Sequence, residues 1–172
     1  MKKNIHGGGA TTNTNGLAFE KTTEVNDLLK TLGCQISTDG EVTLNGKIIG
    51  YSTPKYSFYK NFLEPRGIEY KKYNKVRYLP DDLFINEQLK TAYVIEKKFQ
   101  ATSGSVDEKL LSAKFKQCQY QKLLTPLGYS VKFMYLLSPW FKQERYDDIK
   151  NYLDDIDILY FIEKLPVSAL GL

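Results

Sequence analysis

The chain has 172 residues, 42% of them hydrophobic and 26% charged, a balance that argues for one globular domain and excludes a disordered, collagen-like or coiled-coil chain. Its 24 Lys and Arg against 20 Asp and Glu make it only mildly basic, so any nucleic-acid surface must come from local clusters. Cys34 and Cys118 are the only thiols and His6 the only imidazole, which excludes a Cys/His zinc cluster and almost excludes a His-based triad.

The first sixteen residues, with three glycines in a row at Gly7, Gly8 and Gly9, show no periodic pattern. They are expected to form a flexible leader (1–16) to a single domain (17–172). Apolar positions Leu17, Phe19, Val25, Leu28, Leu29 and Leu32 fit one helix face, with Gly33 as its stop. Asn45-Gly46 between Val42, Leu44 and Ile48, Ile49 predicts a two-stranded hairpin. A short helix is expected after Pro54, ended by Pro65 and Gly67.

Residues 75–85 read as a strand interrupted by Pro80, and 91–99 as a second strand joined to it by a loop at 86–90. Residues 105–124 have helical spacing, 131–137 read as a strand, 143–153 as a helix and 156–162 as a last strand. The expected fold is α/β, a mixed β-sheet flanked by helices. No apolar run reaches the length of a signal peptide core or a membrane span, so a soluble protein of a reducing, cytoplasmic compartment, without membrane contact, is expected.

The informative segment is 79–100, where charges interrupt two apolar strands. Glu96 and Lys98 are two apart and leave the same sheet face, roughly 7 Å from each other along the strand, while Lys97 points the other way. A loop centred near Gln88 makes paired residue numbers sum to about 176 or 177, which sets Asp81 opposite Ile95 or Glu96. Two carboxylates and an ammonium at a strand end suit metal-assisted attack of water on a phosphodiester, the carboxylates holding Mg²⁺ and the lysine positioning water and offsetting negative charge.

Pro80-Asp81 followed by Glu96-Lys97-Lys98 resembles the PD-(D/E)XK nuclease superfamily, the fold of most type II restriction endonucleases. The resemblance spans about residues 17–137. It implies a restriction-endonuclease-like core, αβββαβ, here with a C-terminal α and β added. It further implies Asp81 and Glu96 as metal ligands, the Lys97 backbone carbonyl as another, Lys98 as the catalytic lysine, and Glu20 as an active-site acid from the first helix. The motif does not say which of Asp81 and Asp82 binds metal; Asp81 is preferred for its place after Pro80.

By the same resemblance the chain is expected to be a Mg²⁺-dependent endodeoxyribonuclease, with Mn²⁺ as a substitute. A small type II restriction enzyme would cut double-stranded DNA at a specific site as a homodimer beside a cognate methyltransferase. A structure-specific, nicking or repair nuclease, or a catalytically silent DNA-binding module, are the alternatives.

Between positions 55 and 78 lie seven basic residues, among them Lys71, Lys72, Lys75 and Arg77, against Glu64 and Glu69, with seven aromatics interleaved. This mixture suits phosphate neutralisation and packing against sugars or bases. Ser105, Lys109 and Gln117, on or before the long helix, are further candidate DNA contacts, Ser105 being read equally well as a helix cap. Residues 144–163 carry seven acids and are expected to face away from DNA.

Overall fold

The computed structural model describes residues 9–101 and 106–172. Its described elements are helices α1 (Gly9–Thr22) and α2 (Val25–Thr31), strands β1 (Gln35–Ile36), β2 (Glu41–Leu44) and β3 (Lys47–Ser52), then β4 (Asp82–Asn86) and β5 (Thr91–Lys98). Helices α3 (Val106–Leu110) and α4 (Ala113–Leu124), strand β6 (Ser130–Leu137), helix α5 (Asp147–Asp155) and strand β7 (Leu159–Ile162) follow. The strands make one seven-stranded sheet in sequence order. Pairing is antiparallel from β1 to β5 and parallel from β5 to β7. This is the expected mixed sheet flanked by helices.

Asn45 and Gly46 both have positive φ, 51° and 76°, the tight-turn geometry that their sequence dictates, and they join β2 to β3. The first helix is broken rather than continuous. Thr22 and Thr23 turn their hydroxyls back to the carbonyls of Ala18 and Phe19, competing with helix propagation, and Glu24 is extended. Helix α1 also starts at Gly9, inside the segment expected to be irregular; residues 1–8 lie outside the described residues. Tertiary contact overrides poor local propensity there: Phe19 packs on Phe99 with ring centroids 6.0 Å apart.

The stretch after Pro54 winds as a π-helical turn, Phe58–Leu63, into a 3₁₀ turn, Glu64–Arg66, closed by Gly67 at φ 75°. Pro65 sits inside that 3₁₀ turn instead of ending it, since its missing N–H costs nothing in the first turn. The strand read at 75–85 shrinks to β4, because Pro80 cannot donate to the ladder. The long helix is divided at residues 111–112 into α3 and α4, and Ser105 lies outside the described residues. The C-terminal tail belongs to the core: Leu170 is fully buried, and the Asn86 amide donates to the carbonyls of Leu170 and Gly171. Trp140 is half-buried at the core margin, its indole N–H donating to the Tyr146 hydroxyl at 2.7 Å.

Two apolar cores lie on the two sheet faces. Leu83, Ile85, Ala92, Val94, Phe133 and Tyr135 face the π-helical turn, α4 and α5. Phe84, Tyr93, Ile95, Met134 and Leu136 face α2 and the C-terminal turn. Since alternate residues leave opposite faces, this assigns every charged residue of β4 and β5. Asp82 and Lys97 fall on the α2 face, where they form an ion pair at 2.6 Å with side chains only 7% and 3% exposed. Lys97 Nζ also donates to the Glu20 carbonyl at 2.8 Å, and the Val25 amide donates to Asp82 Oδ2 at 3.4 Å. Burial pushes the Asp82 carboxyl up from its ordinary value, against the pull of Lys97 and the Val25 N–H.

This buried pair ties α1 and α2 to the sheet. Removing one partner strands the other charge, so Lys97→Ala is expected to cost about 3–5 kcal/mol of stability. The apolar double substitution Asp82→Leu/Lys97→Met is expected to cost less than either single truncation. Urea denaturation of the two single variants and the double variant measures this, and a coupling free energy near zero would contradict it.

Candidate active site at the β4–β5 strand ends

Asp82 stands opposite Ile95 in the β4–β5 ladder, a register sum of 177 as the loop position predicts. One step beyond the ladder, Asp81 therefore comes opposite Glu96. Glu96 and Lys98 have the parity of Ala92 and Val94 and so belong to the α4 face, while Asp81, one residue before β4, stands at the strand end, where it acts on Tyr120 and also lines a hollow with Asp82 and Lys97. The same register turns the Asp82 carboxylate to Lys97 on the other face.

Glu96 is 7% exposed and its Oε2 accepts from two ammoniums, Lys98 Nζ at 2.9 Å and Lys116 Nζ at 2.8 Å. Asp81 Oδ2 accepts from the Lys97 backbone N–H at 2.8 Å. Lys98 meets β6 through its own carbonyl, which accepts from Ser138 N–H at 3.0 Å. Its neighbour Lys97 therefore turns its N–H and C=O towards the β4 side, beyond the last ladder pair, where Asp81 stands. Two buried phenols complete this face. Burial first, and then the nearby Glu96 carboxylate, push the Tyr120 and Tyr135 hydroxyls far up; Asp81 contributes at Tyr120. Tyr120 is thus within electrostatic reach of both acids, and its hydroxyl finds no hydrogen-bond partner among the described residues.

These donors fit a hard divalent cation. Asp81, Glu96 and the Lys97 carbonyl are oxygen ligands at one strand end, and Mg²⁺ is commonly bound through one or two carboxylates with the rest of its shell water. The unpartnered Tyr120 hydroxyl is a group such a hydrated ion would satisfy, and the two ammoniums on Glu96 supply the double positive charge that the carboxylate site attracts. Among the described residues no three of His, Cys, Asp and Glu gather around one point.

Glu20 lines a hollow with Asp81, Asp82, Lys97, Glu24 and Lys55, so it shares that hollow with one of the two candidate acids, and its backbone carbonyl accepts from Lys97 Nζ. Lys116 and Tyr120 were not singled out from the sequence as site residues; one helical turn apart on α4, they are i,i+4 neighbours, and only the crossover packing of α4 on β6 turns that face to Glu96.

The candidate DNA contacts divide. Lys71, Lys72 and Lys75 are exposed, Lys72 pairing with Glu69 at 3.0 Å. Arg77 stacks on Tyr70 at 4.5 Å and Tyr59 at 5.4 Å, where burial raises the Tyr59 phenol to about 12. The whole loop is held on the α4 face: Tyr78 packs on Phe115, and the Asn74 amide donates to the Gln119 carbonyl at 3.0 Å. Lys109 is exposed on α3. Gln117 instead donates to the Val131 carbonyl at 3.1 Å, at the opposite end of β6 from Tyr135, the partner of Glu96. No helix among the described residues is long and apolar enough to cross a membrane.

No curated protein and no solved structure gives a significant match to the chain. A family model does match, over residues 41–122, and that span holds Asp81, Glu96, Lys98, Lys116 and Tyr120. It describes a PD-(D/E)XK nuclease superfamily domain, a description with which the seven-stranded mixed sheet flanked by helices agrees, and the chain is similar to that family over the matched residues.

Proposed function

We propose that the chain is a Mg²⁺-dependent DNA endonuclease, with Mn²⁺ as an alternative ion, and that Asp81, Glu96 and Lys98 carry its chemistry. The observation that carries this reading is that Glu96 and Lys98 share one sheet face with the basic, aromatic loop 64–80, and that Asp81 stands beside them at the strand end, its Oδ2 accepting from the Lys97 backbone N–H. A duplex laid on Lys71, Lys72 and Lys75 is then on the side of the strand ends from which Glu96 and Lys98 project. When bound, the ion offsets phosphate charge and stabilises the leaving alkoxide. Asp81, Glu96 and the Lys97 carbonyl hold and orient it, and Lys98 positions the attacking water and counters charge that develops in the transition state. Cutting both strands with one such site per chain calls for two copies, which is the basis for proposing a homodimer of type II restriction character. Digestion of a long defined duplex tests the subtype: discrete fragments support sequence-specific cutting, whereas smears or branch-dependent products point to a structure-specific or repair nuclease.

Lys98→Ala is expected to lower the single-turnover cleavage rate by at least about 10²-fold while leaving DNA affinity in Ca²⁺ nearly intact, because the lysine acts on the transition state more than on the bound duplex. Asp81→Asn is expected to abolish Mg²⁺-dependent cleavage with the fold unchanged by circular dichroism. Asp82→Asn is expected to lower the melting temperature and to keep measurable cleavage below it. Retention of activity by Asp81→Asn together with its loss in a folded Asp82→Asn would move the ligand to the other face.

Replacing Lys71, Lys72 and Lys75 together by Ala is expected to weaken binding to all sequences. The slope of log K against log salt should fall by up to ~2.7, about 0.9 for each lost phosphate contact. Fluorescence anisotropy across a salt series measures it, and a wild-type slope would show that the loop does not touch phosphate.

A further inference from the structure

The proposed chemistry leaves one group at the site without a task, the ammonium of Lys116. Its Nζ lies 2.8 Å from Glu96 Oε2, the same oxygen that Lys98 approaches at 2.9 Å. Glu96 thus carries two counter-ions where one would neutralise it, and a buried carboxylate is the group for which charge balance matters most. The two lysines come from different elements. Lys98 is fixed to the strand of Glu96, whereas Lys116 reaches over from α4 with its side chain 25% exposed.

We propose that Lys116 is a displaceable counter-ion: it occupies Glu96 in the metal-free protein, competes with the divalent cation for that carboxylate, and on displacement offers its ammonium to a nucleic-acid phosphate. This rests on the reading of Asp81 and Glu96 as metal ligands. Charge bookkeeping favours the exchange. A divalent ion brings to Glu96 the two positive charges that the lysine pair supplies, and the repulsion between them falls on the more exposed lysine, the one with a long flexible stem and solvent beside it. Lys98 stays at the strand end. Lys116 is left on the face that carries the basic loop, where a phosphate replaces the lost carboxylate partner.

Calorimetric titration with Ca²⁺ in the absence of DNA tests the competition. Lys116→Gln is expected to bind Ca²⁺ about tenfold more tightly than wild type, since the rival cation is gone. Lys116→Arg, which keeps the charge, is expected to bind as wild type does. Glu96→Gln removes the ligand and is expected to bind neither way. In Ca²⁺ the Lys116→Gln variant should hold a short DNA duplex more weakly, with a salt slope lower by about 0.9. A purely structural lysine would move neither the cation affinity upward nor the slope. Glu96 keeps Lys98 as a partner in every Lys116 variant, and equal melting temperatures of wild type and Lys116→Gln confirm that the comparison is between folded proteins. If wild type binds Ca²⁺ and Lys116→Gln binds it equally or less tightly, the competition is overturned while the nuclease reading stands. If no variant and no wild type binds any divalent ion, the metal-ligand reading falls and this inference with it.

Discussion

The pairing of Asp82 with Ile95 governs the chemistry of the whole strand end. A strand offers its side chains to alternate faces, so a slip by one residue would exchange the fates of Asp81 and Asp82 and of Glu96 and Lys97. In the observed register two acid–lysine sets stand back to back through the sheet. On one face Asp82 and Lys97 are sealed by α1 and α2 and hold those helices down. On the other, Glu96 keeps its lysines at a partly open rim beside α4. The same residue types serve stability on one side and are left adjustable on the other, and the difference is how much water reaches the ammoniums.

That contrast also explains why the site depends on the sheet's change of direction. Strand β5 has an antiparallel neighbour on one side and a parallel one on the other. The antiparallel neighbour supplies Asp81 at the point where its ladder begins. The parallel neighbour requires a crossover, and α4, pinned to the first residues of β6 by Gln117 and Gln121, supplies Lys116 and Tyr120. A sheet antiparallel throughout would have no helix in that position.

Much of this was legible in the residues themselves. The Asn45-Gly46 turn, the loop length that sets the β4–β5 register and the two-residue spacing of Glu96 and Lys98 are local, and local geometry follows closely from sequence. Helix α1 was not, because residues 9–16 are mostly Gly, Thr and Asn, weak helix formers, and the helix continues into the packing of Phe19 on Phe99. The kink before Val25 was hidden in the competing hydroxyls of Thr22 and Thr23. Glu20 was named only through the family resemblance, and no local pattern in the sequence sets its distance from Glu96. Lys116 is one of several lysines on α4, and only the approach of that helix to β5 separates it from Lys114, whose ammonium goes instead to the Ile156 carbonyl.

The sheet order has a further consequence, for the order in which the site is assembled. From β1 to β5 each strand pairs with its sequence neighbour, and the β4–β5 loop is only four residues long, so the entropy lost in closing it is small. Strand β6 must wait for the whole α3–α4 segment to be laid across the face, a far longer closure and a slower one. Asp81 and Glu96 thus meet while the carboxylates are still open to water, and the helix bearing Lys116 arrives afterwards. The electrostatic repulsion between two approaching acids is met in a high dielectric, where it is weak, and the burial that would magnify it comes together with the lysine that cancels it.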